Sequence, residues 1–224
     1  MQIIDLFSFF KDRKKAQYLL IVLLSVFLIL TAIVLLLPTT FIDLQFTEVI
    51  QKANNPTLDF LMKAVSWFGA APVAATMVIG IALIFAILAL WREAIFTIAT
   101  LLVSVVTFGI KILIDRPRPS GDVVEVIEVA QHQSFPSGHT SFYVVFFGFI
   151  IFLLVRNKHF VPWLRYALVV VALVLIFSIP FSRIYLGAHW FTDVTAGFVL
   201  GILVLWALIS VFIYKPKPTP AINP

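Results

Sequence analysis

Six long apolar runs decide what this chain can fold into. They lie near Gln17–Leu37, Ala71–Leu90, Ala94–Ile114, Ser137–Val155, Pro162–Phe181 and His189–Tyr214. A helix needs about 20 mostly apolar residues to cross the hydrocarbon core of a bilayer, and each run reaches that length. Only 12% of residues are charged, against about 25% in a soluble domain. The expected fold is all-α, a polytopic membrane protein built as a six-span helix bundle. One membrane domain over residues 1–224 is the simplest organisation.

The net charge is +5, but the basic residues sit at the ends of the apolar runs. They form no continuous surface, which argues against nucleic acid as a partner. The chain has no cysteine, which excludes disulfides, thiolate metal sites and a cysteine nucleophile. The first run follows Lys11, Arg13, Lys14 and Lys15 as a secretory signal would. It is too long for one, and Pro38-Thr39-Thr40 is no small-x-small cleavage site, so it reads as a retained span.

Between spans one and two, Ile42, Phe46, Val49 and Ile50 recur at helical spacing, with Asp43, Glu48 and Gln51 among them. Asn54-Asn55-Pro56 breaks the pattern, and Leu58, Leu61, Ala64, Val65 and Phe68 resume it. Two amphipathic helices lying in the membrane interface are expected, with a plain connecting hairpin as the alternative. Met1–Phe10 reads either as a short surface helix or as a frayed tail. Trp91-Arg92-Glu93 reads as a tight turn, and Gly197 with Gly201 as a small-xxx-small pair for close helix packing.

Loop charge sets the expected orientation. With the N-terminus inside, ten of the 16 Lys and Arg residues fall on the inner side, including Lys11, Arg92, Arg156, Lys158 and Lys215. The outer side holds Lys52, Lys63, Lys111, Arg116, Arg118 and Arg183. The positive-inside rule then puts both termini in the cytoplasm. Trp67, Trp91, Trp163 and Trp190 fall near span ends, where interfacial Trp belongs.

This topology gathers three polar clusters on the outer face. Lys111 and Arg118 leave span three; either they neutralise a phosphate, or Lys111 snorkels and Arg118 is a loop charge. Pro136-Ser137-Gly138-His139 opens span four. Pro and Ser suit a helix start, Gly permits close backbone approach, and unpaired N–H groups there bind anions. Arg183, His189 and Asp193 join spans five and six, where ionisable groups are costly and so mark function. His189 and Asp193 are four residues apart, on one face if helical, and a His oriented by an Asp is the minimal unit of a nucleophile or base. An interfacial belt would explain Arg183 and Trp190, but it leaves Asp193 without a partner.

Taken together, Lys111 with Arg118-Pro119, Pro136-Ser137-Gly138-His139, and Ser182-Arg183 with His189 and Asp193 resemble the type 2 phosphatidic acid phosphatase family. Its signature is Lys-x6-Arg-Pro, Pro-Ser-Gly-His and Ser-Arg-x5-His-x3-Asp, and every fixed position is present. The resemblance implies a lipid phosphatase at the outer interface of the cell membrane. His189 would form a phosphohistidine, Asp193 would hold its other ring N–H, and His139 would be acid and then base. Lys111, Arg118, Arg183, Ser137 and Gly138 would bind the phosphate, with no metal or other cofactor. Phosphatidylglycerophosphate, undecaprenyl diphosphate and phosphatidate all fit as substrates. Asp115, Asp122, Glu125 and Glu128 read as a solvated acidic loop, while Arg116 and His132 are further candidates to touch substrate. A phosphotransferase using the same His189, or a transporter, are the competing readings.

Overall fold

The computed structural model describes residues 13–157 and 161–214. The expectations for Met1–Phe10, Lys11, Lys158 and Lys215 lie outside the described residues. Among the described residues there are nine helices and no strand. They are α1 (Arg13–Leu36), α2 (Phe41–Gln51), α3 (Pro56–Trp67), α4 (Ala71–Ile87), α5 (Trp91–Ala99), α6 (Leu102–Ile114), α7 (Gly138–Arg156), α8 (Pro162–Tyr185) and α9 (Phe191–Ile213). Five stretches are long and apolar enough to cross a membrane: Lys14–Leu36, Trp91–Ile114, α7, α8 and α9. The pair α3–α4, bent by 52° at its break, makes a sixth if it counts as one span.

The segment after α1 forms two helices with legible starts. Thr40 caps α2 and forms a reciprocal box with Asp43, satisfying donors that a first helical turn leaves open. Asn55 caps α3, with Pro56 at its first position, where a missing N–H costs nothing. Both helices pack on α8, and α2 also packs on α9.

Three boundaries differ from expectation. Trp91-Arg92-Glu93 is the first turn of α5, and the chain reverses earlier, at Leu88–Leu90, where Ala89 takes a φ of 57°. Helix α8 runs on to Tyr185, so Arg183 lies inside its last turn. Helix α9 starts at Phe191, so His189 precedes the helix and its cap, Trp190. The third span is broken at Thr100–Leu101. There Thr97 and Thr100 bond back to the carbonyls of Glu93 and Thr97, a contact that bends helices.

Helix α7 is the centre of the bundle. Of its most apolar window 67% is buried, against 11% in α1. It packs against α6, α8 and α9. Its buried face is rich in aromatic rings, with Phe142 stacked on Phe146 and Phe149 edge-on to Phe212. Helix α1 leaves Tyr18, Ile21, Leu28 and Ile29 exposed, an apolar surface suited to lipid and not to water.

The α7–α9 contact depends on glycine. A Cβ on Gly197 would lie 2.6 Å from the Ser137 carbonyl oxygen, and one on Gly201 would lie 2.7 Å from Val144 Cβ. Gly148 also meets a neighbour, but its obstacle is the flexible end of Leu205, at 2.5 Å. Ala gains up to about 1 kcal/mol over Gly in a helix, whereas overpacking against fixed atoms costs about 1–3 kcal/mol. Gly197→Ala is therefore expected to lower the thermal midpoint in detergent, and Gly148→Ala to leave it nearly unchanged. Equal effects at the two positions would contradict this account.

Candidate active site

The ends of α6 and α8 and the starts of α7 and α9 meet at one end of the bundle. Helix α6 stops at Asp115, which is left-handed at φ 46° and ψ 39°. Lys111, one turn earlier, is buried and donates to the carbonyls of Gln133 (2.5 Å) and Ser134 (3.1 Å). The loop that follows turns its two arginines in different directions. Arg118 donates to the carbonyls of Gln131 and His132, both at 2.7 Å, and to Ala188 at 2.6 Å. Its Nη1 lies 3.2 Å from His189 Nε2. Arg116 turns away from that side and into the protein.

Helix α8 ends in a turn that only glycine completes. Gly187 has φ +66°, and a Cβ there would fall 2.2 Å from the Glu125 carbonyl oxygen. The Leu186 carbonyl accepts from the N–H groups of Ile127 and Glu128. This clamps the acidic loop to the turn and brings Glu128 to 2.7 Å from Arg183 Nη1. Arg183 also donates to Ser66, and its buried Nε has no hydrogen-bond partner. The acidic loop is thus less solvated than expected. Glu128 pairs with Arg183, the Glu125 carboxylate accepts from Asn54 at 2.5 Å, and Asp115 accepts from Gln133 at 3.0 Å.

His189 is 2% exposed. Its Nδ1 lies 3.4 Å from Asp193 Oδ2, at the long end of hydrogen bonding. The contact forms because Asp193, in the first turn of α9, reaches back past the cap. Its Oδ2 also accepts from the Trp190 N–H at 2.9 Å and from the Ser134 hydroxyl. Geometry assigns the ring proton to Nδ1, toward the carboxylate, and the lone pair to Nε2, toward Arg118. Trp190 is buried, with its indole N–H 3.3 Å from the Pro117 carbonyl oxygen. It packs behind the site and is no interfacial Trp, unlike the exposed Trp67, Trp91 and Trp163.

A cavity of about 690 Å³ opens in front of His189. Lys111, Arg118, Gly138, His139 and Arg183 line it with His189, and His132 stands exposed at its wall. His139 packs on the α3–α4 break, where a Cβ on Gly69 would fall 2.3 Å from its ring. Gly138 and His139 also carry first-turn N–H groups that a helix leaves without internal partners. Ser137 is placed differently. It is fully buried, its N–H donates to the Asp193 carbonyl at 3.0 Å, and its hydroxyl accepts from Thr140 at 3.0 Å. It caps α7 and is not among the cavity residues. Among the described residues no group of three or more His, Asp or Glu side chains is placed to hold a metal ion.

Burial lowers Arg118 to a pKa of about 10, with the Arg183 charge adding to the effect. Arg118 therefore stays cationic at neutral pH. Burial also pushes His189 well below its ordinary value, and the charges of Arg118, Lys111 and Arg183 push it further. At pH 7 its ring is neutral and Nε2 carries a free lone pair. Asp43 and Ser134 escaped sequence reasoning as site residues, and Arg116, expected as a candidate to touch substrate, faces Asp193 and Asp43 and not the cavity. Asp43 was legible only as a polar residue of an amphipathic helix, and the Lys-x6-Arg-Pro spacing selected Arg118 but said nothing of where Arg116 would turn.

The depressed His189 sets a pH dependence. Below about 6.5, the unfolded ring binds a proton that the folded ring refuses. Its contribution to stability is present above that pH and is lost as pH falls through it. The thermal midpoint in detergent should drop between about pH 7.5 and 5.5, and His189→Gln should flatten that slope. An unchanged slope would assign the titration to another group.

Residues 92–217, more than half of the chain, match the PAP2 superfamily. Phosphatidylglycerophosphatase B of Bacillus subtilis (strain 168) is 35% identical over 104 residues, covering 46% of this chain and 49% of that protein. The bacitracin transport permease protein BcrC of Bacillus licheniformis is 36% identical over 105 residues, covering 45% and 44%. The chain thus spans about half the length of the curated relatives it matches. The crystal structure of a transmembrane PAP2-type phosphatidylglycerolphosphate phosphatase from Bacillus subtilis superposes with a TM-score of 0.75. It has 23% identity and covers 88% of this chain and 98% of that one. The fold is shared, the family match spans the helices that carry Lys111, His139 and His189, and the chain belongs to the PAP2 superfamily.

Proposed function

We propose that this protein is a lipid phosphatase that removes phosphate from a membrane lipid through a phosphohistidine on His189. One observation carries the reading. His189 presents Nε2 to a cavity lined by Lys111, Arg118, Arg183 and His139, while Asp193 stands behind Nδ1.

In this reading Nε2 attacks phosphorus and the bond from phosphorus to the lipid oxygen breaks. Protonated His139 gives that oxygen its proton. Water then attacks the phosphohistidine and His139 takes the water's proton, so phosphate leaves and both rings return to their starting state. Asp193 holds the Nδ1 proton and balances the charge that develops on the ring. Lys111, Arg118, Arg183 and the first-turn N–H groups of Gly138 and His139 supply fixed positive charge to the phosphoryl oxygens. Arg118 also covers Nε2, so a bound phosphate must draw its guanidinium onto oxygen before attack. Ser137 contributes by holding the start of α7 against α9.

The lipid assignment is supported by the cavity's apolar wall, which includes Ala74, Leu101, Phe108 and Phe142 from spanning helices. A headgroup held by cations with its chains left in the bilayer matches that division. Phosphatidylglycerophosphate, undecaprenyl diphosphate and phosphatidate remain the candidates, and one relative is named for the first. The loop charges support an outward-facing site with both termini cytoplasmic. A transporter is the second reading, because another relative is named a permease.

Phosphate release from a panel of pure lipid phosphates and diphosphates decides between the two. The expected outcome is turnover that persists in excess chelator, is inhibited by vanadate and is abolished by His189→Ala in a folded protein. Near-normal turnover in that variant would remove His189 as nucleophile. Chelator loss restored by a divalent metal would overturn the metal-free mechanism. Lipid or ion movement in liposomes by the His189→Ala protein would favour the transporter.

A further inference from the structure

The mechanism above leaves two of the most deeply buried charges unused. Arg116 is 2% exposed and Asp43 is 0% exposed. Arg116 stands within the same short run as Lys111 and Arg118, yet it does not line the cavity. Its Nε donates to the Pro38 carbonyl at 2.8 Å. Its Nη1 donates to Thr192 Oγ1 at 2.7 Å and to Asp193 Oδ1 at 2.5 Å, and its Nη2 to Asp43 Oδ2 at 2.7 Å. Four separate contacts hold the guanidinium in the protein, which leaves it no reach toward a phosphate in front of His189.

Asp43 closes the arrangement. Its Oδ1 accepts from both the N–H and the hydroxyl of Thr192, each at 2.9 Å. Its Oδ2 accepts from Thr40 as well as Arg116. One carboxylate therefore caps α2 and also holds the first turn of α9. The result is a buried row of alternating charge, from Asp43 through Arg116 to Asp193, with the His189 ring at its end.

We propose that Arg116 and Asp43 are positioning residues that fix the Asp193 carboxylate, and through it the His189 ring, tying helix α2 to the nucleophile. This rests on His189 being that nucleophile. A carboxylate turns about its terminal bond over a broad range. Anchoring Oδ1 on Arg116 fixes where Oδ2 points, and Oδ2 is the atom that meets Nδ1. Removing the charge of either Arg116 or Asp43 leaves a buried partner uncompensated, and the two removals act on the ring with opposite sign. Loss of the Arg116 cation makes the surroundings of His189 more negative, so the ring gains its proton more readily. Loss of the Asp43 anion leaves Arg116 unbalanced, so the ring gains it less readily. The other charged and titratable groups facing His189 are Arg118, Lys111, Arg183 and His139, with Glu128 behind Arg183, and none is altered in these variants.

The test uses the full chain in nanodiscs with nitrogen-15-labelled histidine. The His189 signal is assigned by its absence from the His189→Gln spectrum. Arg116→Met should raise the His189 titration midpoint and Asp43→Asn should lower it, each by about one pH unit. In the same preparations, Arg116→Met should cut kcat on the order of 10²-fold with KM held within about twofold. Arg116→Lys should recover part of the loss, and the loss should vanish when Asp193→Asn is already present. Midpoints that stay put or move in the same direction would overturn the proposal. So would a raised KM at constant kcat, which marks a direct substrate contact, or full additivity with Asp193→Asn. Should Arg116→Met fail to fold, the isosteric Asp43→Asn decides alone, since a downward shift is required of it. Absence of phosphate release from every lipid by the unaltered protein would sink the phosphatase reading, while the two midpoints would still decide this one.

Discussion

The Asp193 carboxylate is the point on which the rest of the site depends. It is fully buried at the start of a membrane helix, where an unpaired charge is untenable. Its donors come from distinct parts of the chain. Arg116 and Ser134 lie on the long loop between α6 and α7, and Trp190 and His189 lie in the turn between α8 and α9. Its backbone carbonyl also takes the N–H of Ser137, which opens α7. Satisfying one carboxylate therefore draws four helix ends together. The cavity in front of His189 is the space left on the other side of that junction.

The interior behind this junction is built differently from the interior along the spans. Along the spans, aromatic rings of α7 pack on α9, with glycines letting the backbones approach. At the site end, hydrogen bonds and charges replace apolar contact, and each participating group has several partners. Polar interiors of this kind hold geometry well only when every member is satisfied. Arg116, Asp43 and Thr192 meet that condition. Arg183 does not, since its Nε is buried without a partner, and Arg183 lines the cavity.

Much of this was legible in the sequence because short spacing carries it. The apolar runs marked the spans, Asn54-Asn55-Pro56 marked the break between α2 and α3, and the three motifs contained Lys111, Arg118, His139, Arg183 and His189, which line one cavity. Local capping rules also explain Ser137, although its N–H and hydroxyl serve the fold and not the cavity. The errors were of helix phase and of long-range pairing. A helix continuing through Arg183 is hard to foresee, because the apolar run stops at Phe181 and Pro180 lies inside the helix. Nothing near Asp43 shows that its partners lie 73 and 149 residues away. Glu128 looked like loop solvation because the clamp that brings it to Arg183 consists of backbone bonds to Leu186, which no side-chain pattern reveals.

The direction in which the helices run has a consequence of its own. Helices α7 and α9 both begin at the cavity end, and α6 and α8 both finish there. A helix carries about half a positive charge at its start and half a negative charge at its finish. The positive pole of α7 thus points where an anion would sit, independent of any side chain's protonation, while that of α9 falls on Asp43, whose Oδ1 accepts the Thr192 N–H. The two negative poles fall where Lys111 and Arg183 occupy the final turns of α6 and α8. The helices that finish there hold the cations in place, and α7 adds its own pole to their field, so part of the cavity's positive potential is written into the path of the chain.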